Sequence, residues 1–469
     1  MSVFRPELHV TVDSGILDAA AGILRDGNAA AGDDTWHIFY QYRTGADTPS
    51  RWGHNVSEGS AFDWVECNDT VAPFGGETGV RAGSVVASDE GVDLYFTSVT
   101  EAGMSIQISR ADDLDALCED VDEDYQVDPA IRRLGDVVFD EGGFTRFRSP
   151  CVVPNWEQAD DRDKGQSGWL MLAMTGEPEN PQPVVLTSED GTAWKVLGAL
   201  EFDGDPGFEP ENEILVAPRI IRLRDEVDSQ IYDVLMFSLE RRGKDTTGYV
   251  IGTLNGSVFT VAEEARRIDF GHDFTRPRST NYTPGSITEE ERLSHAYIYG
   301  LMADTGRGGD PTQEPNWSSE GWASTLTIPR RLTLQNGALY QTPPRGLPDA
   351  VADTERARLW TGLCEVPLGT KGHVKAEILD GNGDVAAVVT HSGDEISLDR
   401  LDGAPACAPL GDDDEDNITI LVDSSTIEVF AGGGVVAMSS RFWPENGCSG
   451  IRVTTDGAAQ ILNEWHRGA

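Results

Sequence analysis

Six cysteines, eight histidines and one acidic run are the residues of this 469-residue chain whose types invite a metal or redox reading. Their spacing does not support one. Cys67, Cys118, Cys151, Cys364, Cys407 and Cys448 are scattered without a C-x-x-C pair, and no two cysteines or histidines stand at ligand spacing. Neither a metal site nor a cofactor is therefore expected. Sparse cysteine in a long chain reads as reduced thiols in a reducing compartment. The run "GDDDED", from Gly411 to Asp416, lacks the spaced ligands and later glutamate of a calcium loop and reads as a solvated turn. What remains is carboxylate and guanidinium. There are 80 acidic residues, and of 36 basic ones only Lys164, Lys195, Lys244, Lys371 and Lys375 are not arginine. Carboxylates do general acid and base work, and guanidinium forks suit carboxylates and phosphates.

The charge balance narrows the partners. A formal net charge of −44 repels nucleic acid and anionic membranes, so neither is an expected partner. No run of about 18 apolar residues occurs, so no membrane span is expected. The opening "MSVFRPELHV" lacks the basic-then-apolar pattern of a secretion signal, and the cytoplasm is the expected location. Such a surface stays soluble at high salt, where its self-repulsion is screened. A salt-adapted host and a merely acidic protein are the two readings, separated by whether added salt improves stability.

The elements that must position these side chains are strands. "WHIFYQY" from Trp36, "DLYFTSV" from Asp93, "GWLMLAM" from Gly168, "YDVLMFSL" from Tyr232 and "AYIYGLM" from Ala296 are short apolar runs rich in aromatic and aliphatic residues. They begin 57, 75, 64 and 64 residues apart. Further strand candidates fall between them, including "PVVLTSEDGTAW" and "GYVIGTLNGSVF". The second reads as a hairpin whose Asn255-Gly256 pair supplies the positive φ of a tight turn. A recurrence of this length with several strands per period predicts a five-bladed β-propeller over residues 1–340; an array of β-sandwiches is the competing reading. "SITEEERLSHAY" is the most helix-like stretch. Proline and glycine then cluster in "QTPPRGLPDAVADTERARLW", which reads as a linker at 341–355 with a short helix-capable segment. The alternating runs "HVKAEILD", "DVAAVVTH", "NITILVD", "STIEVFAGGGVVAMSSRF" and "GIRVTT" predict a β-sandwich over 356–469. The chain is thus read as all-β, a propeller followed by a sandwich.

Four segments, in order, carry a resemblance. "FRPELHVTVDSGILDAAAGIL" is similar to the opening R-P-x-x-H-x-x-P-x-x-G-W-M-N-D-P-N-G of glycoside hydrolase family 32, the invertases, levanases and sucrose-6-phosphate hydrolases. "HIFYQYR" followed by "RWGHNVS" resembles its F-Y-Q-Y and W-G-H segments. "GWASTLTIPRRLTLQNGALYQTP" is similar to its last propeller stretch, and "ITILVDSSTIEVFAGGGVVAMSSRFWP" to the hallmark of its C-terminal sandwich. The resemblance implies a five-bladed propeller with a funnel-like site, followed by a sandwich, the architecture the strand spacing predicts by itself. It also implies hydrolysis of fructosides by a carboxylate nucleophile and a carboxylic acid about 5–5.5 Å apart, with a third carboxylate stabilising the transition state.

This chain departs from that pattern where the chemistry is done. The nucleophile position in "GILDAAAG" falls on Ala19, with Asp18 where the family has Asn. The R-D-P segment becomes Arg148-Ser149-Pro150. In "ENEILVAPRIIRL", Pro218 sets the register and places Val216 at the acid/base position and Ala217 at the cysteine. Alanine cannot attack, valine cannot donate a proton and serine carries no charge to meet an oxocarbenium ion. Substitutes are few. Asp18 is one residue off and points to the opposite face of a regular strand, so it needs a bulge. Glu213 and Glu211 precede Val216 by three and five residues, about 10 Å or more along an extended chain.

Other pocket positions change as well. The family's F-S-G-S becomes Arg81-Ala82-Gly83-Ser84, the residue after E-C-P becomes Arg219, and F-Y-A becomes "FTRP" with Thr275 and Arg276. With Arg148, four guanidinium groups are expected in or near a funnel stripped of its carboxylates. Two readings stand: a pocket for a small carbohydrate made anionic, such as a sugar phosphate or sugar acid, or arginines paired with the abundant Asp and Glu. Gln41 and Trp52 match positions that face the sugar, though Trp52 reads equally as core. His9 and His54 read as structural. Three functions remain open: a non-hydrolytic sugar-binding relative of the β-fructosidases, an active glycosidase using relocated acids, and a structural, homo-oligomerising partner with a vestigial pocket.

Overall fold

In the computed structural model the described residues are 3–27, 34–118, 126–155, 167–209, 213–241, 244–303, 309–411 and 417–468. Glu211 and the acidic run at 412–416 lie outside them. Five blades follow one another along the chain, four-stranded except the fourth, to which Glu201–Asp203 adds a fifth strand. Their innermost strands are Gly15–Asp26, Glu77–Ser88, Arg148–Pro154, Ile214–Arg224 and Thr275–Tyr282. These five pack on one another around the axis. The first and last pair in parallel, Ile23 opposite Thr280, and so close the ring.

The runs that set the sequence period are the second strand of every blade: Thr35–Arg43, Gly91–Thr100, Trp169–Thr175, Ile231–Arg241 and Ala296–Met302. A second strand has a neighbour on each edge and blades on both faces, so its middle is buried residue after residue rather than alternating. Trp169–Thr175 and Ala296–Met302 are buried at every position. The expected hairpin is present with its turn displaced by one residue. Asn255 pairs with Val258, and only Gly256 of the Gly256-Ser257 turn has positive φ, at 60°. A type II′ turn needs only that first residue at positive φ, so Asn255 stays in the strand. The helix-like stretch forms Glu289–Ser294, opened by a Thr288–Glu291 capping box.

The sandwich packs the sheet of Arg358–Glu365, Asn417–Asp423, Thr426–Ala431, Val436–Arg441 and Gln460–Arg467 on that of His373–Asp380, Val385–His391, Glu395–Asp399, Ala406–Pro409 and Cys448–Asp456. Trp360, Ile378, Ile396, Ile420 and Met438 fill the space between them. The helix Leu347–Ala352 at the seam is not a loose tether. Leu347 and Val351 join Leu8 and Ile328 of the propeller and Leu421 and Phe430 of the sandwich in one apolar cluster. Beside it runs a buried ionic network. His9 lies 2.8 Å from Asp423 and 3.1 Å from Glu428, and Arg330 lies 2.8 Å from Asp269 and 2.9 Å from Glu428. His9 is thus structural, as is His54, which is buried against His37 and stacked on Phe39. Cys67, Cys151, Cys364, Cys407 and Cys448 are free thiols. Among the described residues no helix is long and apolar enough to cross a membrane.

Candidate functional site

Each innermost strand breaks register with its neighbour: between Leu17 and Ala19, Arg81 and Ser84, Arg148 and Cys151, Val216 and Arg219, and Thr275 and Arg278. Three of the breaks contain Pro150, Pro218 or Pro277, which cannot donate to the ladder. The residue before each proline is left-handed: Ser149 at φ 56°, Ala217 at 50° and Arg276 at 50°. Such backbone costs about 1–3 kcal/mol per non-glycine residue and ends the strict alternation of side chains. Consecutive residues therefore reach the same space. Arg81 and Ala82, Arg148 and Ser149, and Val216 and Ala217 all line one cavity of about 230 Å³.

That cavity brings together Ala19, Ser149 and Val216, from blades one, three and four, with Gln41, Arg81, Arg148 and Arg276. Gln41 accepts from the Ala82 amide at 2.7 Å, which ties blade one to blade two at the rim. Arg278 and Glu240 complete the charged lining, and Met104 and Met174 an apolar part. Glu240 corrects the expectation of a funnel stripped of acids; it stands 3.8 Å from Arg276, which is 3.9 Å from Asp245. The other guanidiniums are held differently. Arg148 donates to the carbonyls of Arg146 and Gly176 at 3.0 and 2.7 Å. Arg278 donates to those of Gly83, Arg276 and Pro277 at 3.1–3.3 Å. Among the described residues no carboxylate reaches ion-pair distance of Arg81, Arg148 or Arg278, whereas Arg276 has two.

The electrostatic consequence is a shared strain on the cations. Burial lowers the pKa of Arg81, and Arg276 beside it adds to the effect against the opposing charge of Asp18. Burial, then Arg81 and Arg146, lowers Arg148. Arg278, only 5% exposed, is driven well below the usual arginine range by burial, then by Arg219 and Arg276. Arginine stays protonated at ordinary pH, so the cavity carries under-compensated positive charge inside a chain of net charge −44.

A second cavity of about 270 Å³ adjoins the first through Arg276 and is lined by Asp18, Arg43, Asp245 and Thr275. The bulge that Asp18 required is present, with Leu17 opposite Tyr42 and Ala19 opposite Gln41. It turns Asp18 away from the first cavity and onto Arg43, whose Nε and Nη2 each donate at 3.0 Å, with Gln41 at 3.4 Å. Thr275 donates to Asp245 at 3.2 Å.

Four expected site residues stand elsewhere. Glu213 lines a separate groove with Glu177, Pro181 and Phe202, because three residues of extended chain carry it away from Val216. Ser84 is buried, donating to the Val152 carbonyl. Arg219 is 1% exposed behind the wall, donating to the carbonyls of Pro218 and Ser149. Trp52 is 0% exposed in the core between blades one and two, its indole N–H on the Arg81 carbonyl and its ring edge-on to Phe96. Its strand lies inside the blade, so it stacks on protein. Trp52→Ala is expected to cost about 3–5 kcal/mol without changing carbohydrate affinity in the surviving folded protein. Calorimetry paired with titration checks this; unchanged stability with lost affinity would return Trp52 to the site. Arg278 had a sequence signal that went unused, the x-x-Pro tripeptides at 148–150, 216–218 and 275–277. Glu240 had none, being one acid among 80.

Comparison with known proteins adds to this geometry. The description "Glycosyl hydrolases family 32 N-terminal domain" matches residues 18–343, and "Glycosyl hydrolases family 32 C terminal" matches 380–466. The chain is 21% identical to sucrose-6-phosphate hydrolase of Bacillus subtilis strain 168, over 97% of this chain and 92% of that protein. It is 23% identical to that of Escherichia coli, over 95% and 90%. It shares its fold with the β-fructofuranosidase of Bombyx mori (TM-score 0.73, 18% identity, 99% and 94% covered). The exo-inulinase of Aspergillus awamori is similar (TM-score 0.75, 17% identity, 99% and 98% covered). A Bombyx mori variant with an aspartate replaced by alanine is known in complex with sucrose.

Proposed function

The chain belongs to glycosyl hydrolases family 32, and from that premise we propose that it is a cytoplasmic carbohydrate-binding member that holds an anionic sugar derivative in the funnel without cleaving it. One observation carries this reading: the cavity where Ala19, Ser149 and Val216 meet is lined by Arg81, Arg148 and Arg278, none of which has a carboxylate within ion-pair distance among the described residues. Arg148 and Arg278 are buried while Arg81 is exposed at the mouth; an uncompensated buried cation is costly, and a phosphate or carboxylate seated there offsets the cost through charge-assisted hydrogen bonds. Loss of a carboxylate is compatible with binding, since the Bombyx mori aspartate-to-alanine variant holds sucrose.

Thermal melting at low salt tests it. Millimolar fructose 6-phosphate or gluconate is expected to raise the melting temperature by about 2 °C or more, fructose at the same concentration to raise it less, and Arg81→Gln to remove most of the shift. No shift with any sugar anion overturns the proposal and leaves the structural role. A second reading, hydrolysis through relocated acids, draws on Asp18, Asp245 and Glu240 lying around Arg276.

A further inference from the structure

We propose that a small monovalent inorganic anion, chloride in a chloride medium, resides at the inner wall of the first cavity, held by Arg278 and Arg219 and separate from the sugar anion of the proposed function. Two buried guanidiniums meet at that wall. Arg219 is 1% exposed and Arg278 5%. Among the described residues no carboxylate lies within ion-pair distance of either. Arg219 directs Nη1 to the carbonyls of Pro218 and Ser149 at 2.7 and 3.4 Å, and its buried Nε and Nη2 have no hydrogen-bond partner. Arg278 directs Nε and Nη1 to carbonyls and leaves Nη2 without a partner among the described residues. Burial lowers the pKa of both, and the charge of Arg219 adds to the effect on Arg278; the neighbour that opposes it at each is the Cys151 thiol, a weak acceptor. Arginine stays protonated and a buried ion without a partner is costly, so an anion from solution supplies what the chain does not. Space and donors suit a small one. Ser149, Ala217 and Arg278 line a cavity of about 230 Å³, against roughly 10–15 Å³ for a water-sized occupant. The Ser149 hydroxyl, without a protein partner among the described residues, is a further donor. A spherical ion accepts from donors in any direction, and the weakly hydrated guanidinium matches weakly hydrated chloride or bromide better than fluoride. One such ion against two guanidiniums leaves net positive charge, so the cavity still attracts a ligand anion through Arg81 and Arg148.

Thermal melting of the full chain in sodium chloride and in sodium fluoride at matched ionic strength tests the assignment. General salt effects favour the more strongly hydrated anion, so the expected order, chloride above fluoride by about 2 °C or more, runs against them. Arg219→Met, which keeps an unbranched side chain without the charge, is expected to abolish the chloride advantage. Arg81→Gln is expected to keep that advantage while losing the shift with fructose 6-phosphate. Crystals grown in sodium bromide are expected to show an anomalous scatterer in contact with the Arg219 and Arg278 nitrogens, a readout that serves if Arg219→Met does not fold. Fluoride equal to or above chloride in the wild type, a chloride advantage that survives in Arg219→Met, or bromide crystals with no scatterer at the pair overturns the chloride site and leaves the proposed function standing. A chloride advantage without any shift from sugar anions overturns the proposed function alone.

Discussion

Purified protein is expected to hydrolyse sucrose and sucrose 6-phosphate at least about 10⁴-fold more slowly than a relative that keeps its carboxylates. A positioned general acid is worth about 10²–10⁴-fold, and loss of electrostatic stabilisation at the reacting centre costs about 10²–10³ more. By the motif resemblance, both are lost with Ala19, Ser149 and Val216, which line the cavity. The acids nearby are poorly placed to replace them. Glu240 alone lines that cavity, and a retaining mechanism needs two carboxyl groups across the bond. Asp18 is engaged by Arg43 through two nitrogens and lies in the adjoining space. Initial rates by an assay of released fructose, at low and high salt, measure the difference. Asp18→Asn and Glu240→Gln are expected to leave the residual rate unchanged. Turnover at the relatives' rate, lost in either variant, would establish the hydrolase reading in place of the binding one.

Stability is expected to fall by on the order of 3 kcal/mol between pH 6.5 and pH 9.5, through a single side chain at the propeller–sandwich junction. Burial alone would lower the pKa of His9; the hydrogen bonds it donates to Asp423 and Glu428, reinforced by their charges, outweigh it and raise it to about 9. Folding therefore favours the protonated ring. Because the folded value lies above the unfolded 6.5, the stabilisation is complete below pH 6.5 and disappears as the pH rises through about 9. Burial lowers His37 to about 4 and raises Asp69 to about 6, below this window; the thiols of Cys407 and Cys448, raised by burial from 9.0, add to the loss only at its upper end. Denaturant melts across the range check the slope, and His9→Gln is expected to flatten it while lowering the plateau. A wild-type profile already flat from pH 6.5 to 9.5 would show that His9 is neutral in the fold. Removing a carboxylate has a comparable effect. Glu428 serves both His9 and Arg330, so Glu428→Gln leaves a buried guanidinium under-paired and is expected to cost about 3–5 kcal/mol at neutral pH.

Much of this architecture is readable along the chain because it depends on local pattern. The second strands carry mostly apolar central runs, so their recurrence from Trp36 to Ala296 marks the blades. The sandwich strands alternate, as His373–Asp380 does residue by residue, and Pro and Gly mark the seam. Side-chain direction at the innermost strands is another matter. The period-two rule separates Asp18 from Ala19 correctly, yet it fails at Arg148-Ser149 and Val216-Ala217, where pre-proline bulges send neighbours into one cavity. Trp52 and Arg219 occupy ligand-facing positions by resemblance and are buried by the packing of adjacent blades.

Residue type and spacing suffice for the all-β order of propeller then sandwich, and the resemblance of the motifs implies that Ala19, Ser149 and Val216 stand where the family keeps carboxylates. Tertiary structure alone brings Arg278 and Glu240 into that cavity, turns Asp18 to Arg43 instead, and sets Arg81, Arg148 and Arg278 in one lining, the last two donating to carbonyls. The reason is physical: which way a side chain points at a bulge, and which charges meet across the axis, depend on strands more than a hundred residues apart that only the closed ring brings together.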